Sequence, residues 1–293
     1  MASTGGVLVG LGDAAGGVPE LDWAAREAVT RNASLRVIRA YHLTWGTLPW
    51  ESSSDRMFTS ELRQHAQKSL DAALAHVHQA WPDLEVEGQV VDGIAWDVLR
   101  AAAADAAVTV LGSRHHGALG SALLGSVSTV VAASAPGPVV VAGYLPGDQG
   151  GDPVVVVGVD GSERTPDVLD FAFDYASRHN RRLRAIFCWH PDLLASMQWR
   201  MPPPAPERAE RWLAEALAGH QENYPEVLVH RAVLREFPVA GLVAESLSQE
   251  LLVVGNRSQH ARVAALLGSV SQGVLHHAGC PVAIVHPRAT PYG

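Results

Sequence analysis

Short apolar runs alternate along this chain with segments whose apolar residues recur at helical spacing. The run PVVVVGV (153–159) is continuous and β-branched, which is typical of a strand buried on both faces of a parallel sheet. Thr165-Pro166 then opens a segment in which Leu169, Ala172 and Ala176 return every three or four residues, as on one face of a helix. The same alternation runs through both halves of the chain, so we predict repeated strand–helix units.

These units predict two tandem doubly wound α/β domains, each a five-stranded parallel sheet flanked by helices, of Rossmann-like type. Strands are predicted at 7–11, 34–41, 86–91, 108–112 and 138–142, and again at 153–159, 181–189, 227–234, 250–255 and 281–286. Helices of the second half are predicted from 165 and at about 206–220, 238–249 and 269–279. Ligands of such sheets bind beyond the carboxyl ends of the strands, where the strand order reverses.

The two halves of the chain repeat each other. LLGSVSTVVAASAPGPVVVAG (123–143) aligns without a gap with LLGSVSQGVLHHAGCPVAIVH (266–286), and GVLVGLGD (6–13) aligns with VVVVGVDG (154–161). A repeat of this length indicates a duplicated domain rather than a solenoid. The segment YLPGDQGGD (144–152) is rich in Gly, Pro and Asp and is typical of a linker. We therefore predict one domain over 1–144 and a second over 152–293.

Composition narrows the function classes. The 293 residues suit two domains, and a net charge of -8 argues against a broad nucleic-acid surface. The sequence offers no apolar stretch long enough for a membrane span and no signal-peptide pattern, so we expect a cytoplasmic protein without a membrane partner. Cys188 and Cys280 lie in unrelated contexts, which argues against a disulfide framework or a zinc site.

A glycine follows the fourth strand of each half, and Gly-Ser at a predicted helix start follows after a loop. These residues are Gly112, Gly125 and Ser126 in the first half and Gly255, Gly268 and Ser269 in the second. Backbone N–H groups at such a turn, together with the helix dipole, form an anion site. The pattern is not a P-loop, because Gly-Lys-Ser/Thr is absent. A serine that only caps its helix explains the same letters, and the sequence leaves both interpretations open.

The ordered combination of VVGVDGS, LLVVGNR, LLGSVS and HAGCPVAIV resembles the universal stress protein family, and the whole chain resembles its tandem members. The resemblance implies an adenine nucleotide alpha hydrolase-like fold, a role in stress response and ATP as a regulatory ligand, with Mg²⁺ carried in by the phosphates. It also implies a homodimer through the apolar last strands at 138–142 and 281–285. A non-nucleotide dimeric scaffold with decayed sites and a cyclic-AMP binder stay open as alternatives. No nucleophile–base set stands out, so we expect at most a weak ATPase.

The resemblance implies nucleotide contacts from the same segments of both halves. The second-half residues are Asp160, Gly161, Ser162, Cys188, Gly255, Arg257, Ser258, Gly268, Ser269, Val270 and Ser271. The first-half residues are Gly12, Asp13, Ala40, Gly112, Arg114, His115, Gly125, Ser126, Val127 and Ser128. Where the family has a middle glycine in the loop, this chain has His115 and Ser258, whose side chains crowd the approach of a phosphate. The aspartate at the adenosine end is kept as Asp160 but replaced by Gly12, so we expect the second half to hold the better site.

Other features are open to simpler explanations. Asp160 is also a suitable turn residue, and Arg114 and Arg257 also suit a solvated loop. The histidine pairs His115-His116 and His276-His277 do not predict a metal site, because adjacent histidines rarely face one ion. The Trp-containing segments 41–55 and 189–207 follow the second strand of each half. The sequence leaves two roles open for these segments: covering a nucleotide base, or packing on the edge of the sheet.

Overall fold

The computed structural model of the protein describes residues 5–12, 19–42, 53–113, 125–143, 152–162, 165–190, 206–256 and 267–286. The chain forms two compact units, of which the first ends at Ala142 and the second continues from Gly143. These two units are the first half and the second half of the chain.

The first half alternates strands and helices. Its elements are β1 (Val7–Gly10), α1 (Pro19–Arg31), β2 (Leu35–Tyr41), α2 (Ser53–Ala80), β3 (Val86–Asp92), α3 (Ala95–Ala102) with a 3-10 turn (Ala103–Asp105), β4 (Val108–Gly112), α4 (Ser126–Ser134) and β5 (Val139–Ala142). The sheet order is β3-β2-β1-β4-β5, and the neighbouring strands are parallel.

The second half repeats this plan. Its elements are β6 (Val155–Val159), α5 (Thr165–Arg178), β7 (Leu183–Cys188), α6 (Pro206–Asn223), β8 (Val229–Leu234), α7 (Pro238–Glu245), β9 (Leu251–Gly255), α8 (Ser269–His277) and β10 (Val282–Val285). The order β10-β9-β6-β7-β8 is again parallel, which confirms the predicted α/β fold of two tandem Rossmann-like domains. Among the helices of these described ranges, none is long and apolar enough to cross a membrane.

The sheet of each half forms the centre of its core. Val155, Val156 and Val157 of β6 have no exposed surface, because helices cover both faces of the strand. On α5, Leu169 and Phe173 are likewise fully buried. The continuous apolar runs were therefore correctly interpreted as central strands.

Helix ends follow local backbone geometry more closely than apolar periodicity. The helix predicted to 249 ends at Glu245, since Ser248 has φ +58°, which a right-handed helix cannot contain. Helix α5 ends just before Asn180, which has φ +50°, and the N–H of Arg181 donates to the carbonyl of Ala176 at 2.8 Å. This left-handed residue and the back-bond satisfy the last carbonyls of the helix.

Candidate functional site

A small, open cleft lies where the strand order of the second half reverses, between the carboxyl ends of β6 and β9. The lining residues come from these two strand ends and from the first turns of α5: Gly158, Val159, Asp160, Ser162, Thr165, Val168, Gly255 and Asn256. Where the connections from two adjacent strands run in opposite directions, a crevice is left between the strand ends. Ligands of doubly wound sheets bind in this crevice.

Asp160 shapes one side of the cleft. Its Oδ1 accepts hydrogen bonds from the backbone N–H of Ser162 at 2.9 Å and from Oγ1 of Thr165 at 3.4 Å. Gly161 between them has φ +75°, and a Cβ added to it would lie 3.2 Å from the ring of Trp212. Glycine is therefore required there, and Asp160 acts as a turn residue whose carboxylate still faces the cleft.

Gly268, rather than serine, is the N-cap of α8, the helix whose start is hydrogen-bonded to the end of β9. Gly268 has extended backbone angles and its carbonyl accepts the N–H of Gln272 at 2.9 Å, while no side chain caps the helix. Ser269 is the first helical residue and is exposed. The first amides of a helix lack intrahelical partners, so those of Ser269, Val270 and Ser271 are oriented for an anion.

The first half has the same helix start. Gly125 is the N-cap of α4 without a side-chain hydrogen bond, and Ser126 is again the exposed first residue, followed by Val127. The interpretation of Gly-Ser as a serine cap is therefore wrong in both halves. A glycine N-cap leaves the adjacent hydroxyl available for another partner.

In each half, one buried serine fixes the helix start to the neighbouring strand. Ser271 is 2% exposed, and its Oγ donates to the carbonyl of Gly255 at 2.8 Å. Ser128 donates to the carbonyl of Gly112 at the same distance. Since these hydroxyl hydrogens are already donated inside the protein, both side chains position the amides of the helix start.

Asn256 was missed by sequence reasoning. It is 2% exposed, and its Oδ1 accepts the backbone N–H of Gly268 at 3.4 Å, so it connects the end of β9 to the start of α8. The signal in the sequence was a polar residue directly after an apolar strand and its glycine. Val168 and Thr165 were missed as cleft residues because their helical periodicity and cap position already explained them.

The thiol of Cys188 lies on the face of the sheet next to α7. Phe187 contacts Trp212 of α6, with ring centroids 5.3 Å apart, whereas a Cβ added to Gly241 of α7 would lie 2.9 Å from the Cys188 sulfur. Successive strand residues point to opposite faces, which explains the difference. Burial raises the pKa of Cys188 to about 12, with smaller contributions from Glu245 and Glu236. Ala40 occupies the corresponding place in β2.

Cys280 is packed, as expected. It is 8% exposed, and burial raises the pKa of its thiol to about 12. A neutral buried thiol is a weak nucleophile, so the side chain serves as a small apolar residue.

In the first half, a buried carboxyl group lies beside Gly112, the counterpart of the cleft residue Gly255. Glu20 of α1 is 7% exposed, and a Cβ added to Gly112 would lie 2.8 Å from its Cδ. Burial raises the pKa of Glu20, its own backbone N–H lowers it, and nearby Asp22 raises it further. Gly12 stands where the second half has Asp160, and a Cβ added to it would meet no described residue within 4 Å.

We predict that this carboxyl group makes folding less favourable as pH rises. The pKa of folded Glu20 lies above the ordinary 4.5, so the folded state keeps the proton to higher pH than the unfolded chain. The contribution of neutral Glu20 to stability is complete below pH 4.5 and is lost as pH rises through the folded pKa. Urea unfolding from pH 4.5 upward should show wild type losing stability relative to Glu20→Gln; parallel curves would contradict this.

Five predicted site residues lie outside the described part of the chain: Asp13, Arg114, His115, Arg257 and Ser258. Most of the two Trp-containing segments lies outside it as well. Their predicted roles stay predictions.

Comparison with known proteins agrees with the duplication. A sequence profile of the universal stress protein family matches residues 6–143 and 153–286. A universal stress protein of Mycolicibacterium smegmatis is 34% identical over 302 residues, 97% of each chain. One from Mycobacterium tuberculosis is 32% identical over 300 residues, again 97% of each chain. The crystal structure of a universal stress protein from Archaeoglobus fulgidus has a TM-score of 0.71 at 16% identity over 97% of each chain, which shows a shared fold.

Proposed function

Since the chain belongs to the universal stress protein family, we propose that its second half binds an adenine nucleotide, with ATP as the regulatory ligand of a cytoplasmic stress-response protein. The observation that carries the proposal is the cleft between β6 and β9, which is lined by Asp160 and by Gly255 and Asn256, the two residues that hydrogen-bond to the start of α8. No nucleophile–base pair is part of the proposal, and binding rather than catalysis is the function.

The start of α8 supplies the phosphate end of the proposed site. Partial positive charge at a helix N-terminus favours phosphate, and the glycine cap lets a ligand approach the backbone closely. Ser271 and Asn256 hold Gly255 and Gly268 in place, so the amides are fixed before a ligand arrives. A fixed set of donors loses little conformational entropy on binding.

Asp160 supplies the nucleoside end. Its carboxylate is an acceptor for ribose hydroxyl or adenine amino groups, and two internal hydrogen bonds hold its orientation. Carboxylate repels phosphate, so its position favours one orientation of the nucleotide, with the nucleoside toward β6 and the phosphates toward α8. When Mg²⁺ accompanies ATP, we place it on the phosphates, because the described residues bring together no group of three metal-ligating side chains.

Calorimetric titration of the full chain tests the proposal. We expect saturable ATP binding at one nucleotide per chain, and adenine nucleotide released from denatured purified protein would support it. Cyclic AMP in competition distinguishes the ligands, since it offers one phosphate with a single charge to the helix start. Absence of saturable binding by a folded protein would refute the proposal and favour the scaffold alternative. The homodimer through 138–142 and 281–285 stays a prediction, which sedimentation velocity checks.

A further inference from the structure

The two halves differ most clearly at one buried position of the candidate site. The alignment of the repeats places Glu20 of α1 opposite Val168 of α5. Val168 is 5% exposed and forms part of the apolar floor of the second-half cleft. The first half therefore has an acidic group where the second half has an isopropyl group.

The surrounding contacts are equivalent. A Cβ added to Gly255 would lie 3.0 Å from Cγ2 of Val168, and a Cβ added to Gly112 would lie 2.8 Å from Cδ and Oε1 of Glu20. The carboxyl group thus reaches the end of β4, beside the strand that Ser128 joins to the start of α4. It therefore occupies, beside Gly112, the place that Val168 occupies beside Gly255 in the second half.

Among the described residues, no arginine or lysine compensates this carboxyl group. The groups that shift its pKa are burial, its own N–H and Asp22, with no arginine or lysine among them. When Glu20 is ionised, a phosphate bound at the start of α4 would have to approach its carboxylate in a poorly hydrated environment, where like charges repel strongly.

We propose that Glu20 is the specificity-determining residue that excludes nucleotide phosphates from the first half, so that the duplicated chain binds one nucleotide rather than two. The proposal rests on the proposed function, because it presupposes that the second half binds ATP. The replacement of Asp160 by Gly12 weakens the nucleoside end of the first half, whereas Glu20 blocks its phosphate end. On this proposal, the first half of the chain does not bind nucleotide.

The first test places the acid in the second half. In Val168→Glu, ATP affinity should fall about 30-fold, because a buried carboxylate then faces the triphosphate. Val168→Gln has nearly the same size and no charge, so it should bind ATP at least about 10-fold more tightly than Val168→Glu. Thermal melting of both variants reports whether each is folded. Equal affinities of the two variants would refute the exclusion by charge.

The second test removes the acid from the first half and does not depend on the folding of Val168→Glu. Gly12→Asp restores the nucleoside-end carboxylate, and a Cβ there meets no atom of the described residues within 4 Å. This variant should still bind one ATP per chain, whereas Gly12→Asp combined with Glu20→Val should bind two. One ATP in both variants, or two in Gly12→Asp alone, would overturn the role of Glu20. Wild type that binds none would instead overturn the proposed function.

Discussion

Ser269→Glu is expected to lower ATP affinity about 100-fold while the protein stays folded. The new carboxylate would stand at the first position of α8, where it repels phosphate and replaces a hydroxyl donor. The same carboxylate interacts favourably with the helix dipole, by about 0.3–1 kcal/mol, and Ser269 is exposed, so the free energy of unfolding should not fall. Titration with ATP and with adenosine, beside urea unfolding, measures both effects.

Ser126→Glu is the matched control in the first half. Ser126 is also exposed and also the first residue of a glycine-capped helix, so the chemical change is the same. ATP affinity in this control should equal that of wild type. Adenosine, which has no phosphate, should bind Ser269→Glu almost as well as wild type. Equal losses in the two serine variants would place the phosphates elsewhere.

Asp160→Ala is expected to weaken ATP and adenosine alike, by about 30-fold. The carboxylate is the proposed acceptor for the nucleoside, and its loss also frees the N–H of Ser162 and the hydroxyl of Thr165. Those two lost hydrogen bonds should lower the free energy of unfolding by about 1–3 kcal/mol. A parallel loss for both ligands separates this variant from Ser269→Glu, which discriminates between them.

Asp167→Ala is the control for the nucleoside end. Asp167 is an acidic residue in the first turn of the same helix, α5, but does not line the cleft. Its removal changes the charge of the chain by the same amount and should leave both affinities within about 2-fold of wild type. If Asp160→Ala bound adenosine like this control, Asp160 would be a turn residue only.

The fold was predictable because its two strongest signals are local. Continuous β-branched runs such as 155–157 have few alternatives to a central strand, and the internal repeat doubles every observation. The ends of helices were harder to predict from the sequence. The end of α7 depends on a left-handed turn at Ser248, which the spacing of apolar residues does not indicate.

The parts of the site that the backbone forms could be predicted from the positions of glycine and serine in the sequence. Gly255, Gly268 and Ser269 were predicted at a strand-to-helix turn; Gly255 lines the cleft, and Gly268, the N-cap before Ser269, donates to Asn256 of the cleft lining. The thiol of Cys188 shows the opposite case: its aligned position is near the site, but strand alternation turns its side chain toward α7. The effect of Glu20 depends on its burial, and the position of a glutamate in the first turn of a helix does not predict that it is buried.

Hydrogen exchange tests the central claim most directly, because phosphate bound at the start of α8 must protect the amides that hold it. With saturating ATP, exchange of the amides at Ser269, Val270 and Ser271 should slow at least about 10-fold relative to the free protein. The equivalent amides at 126–128 should exchange at an unchanged rate. Unchanged exchange at 269–271 in a nucleotide-saturated protein, or equal protection in both halves, would contradict a single phosphate site in the second half.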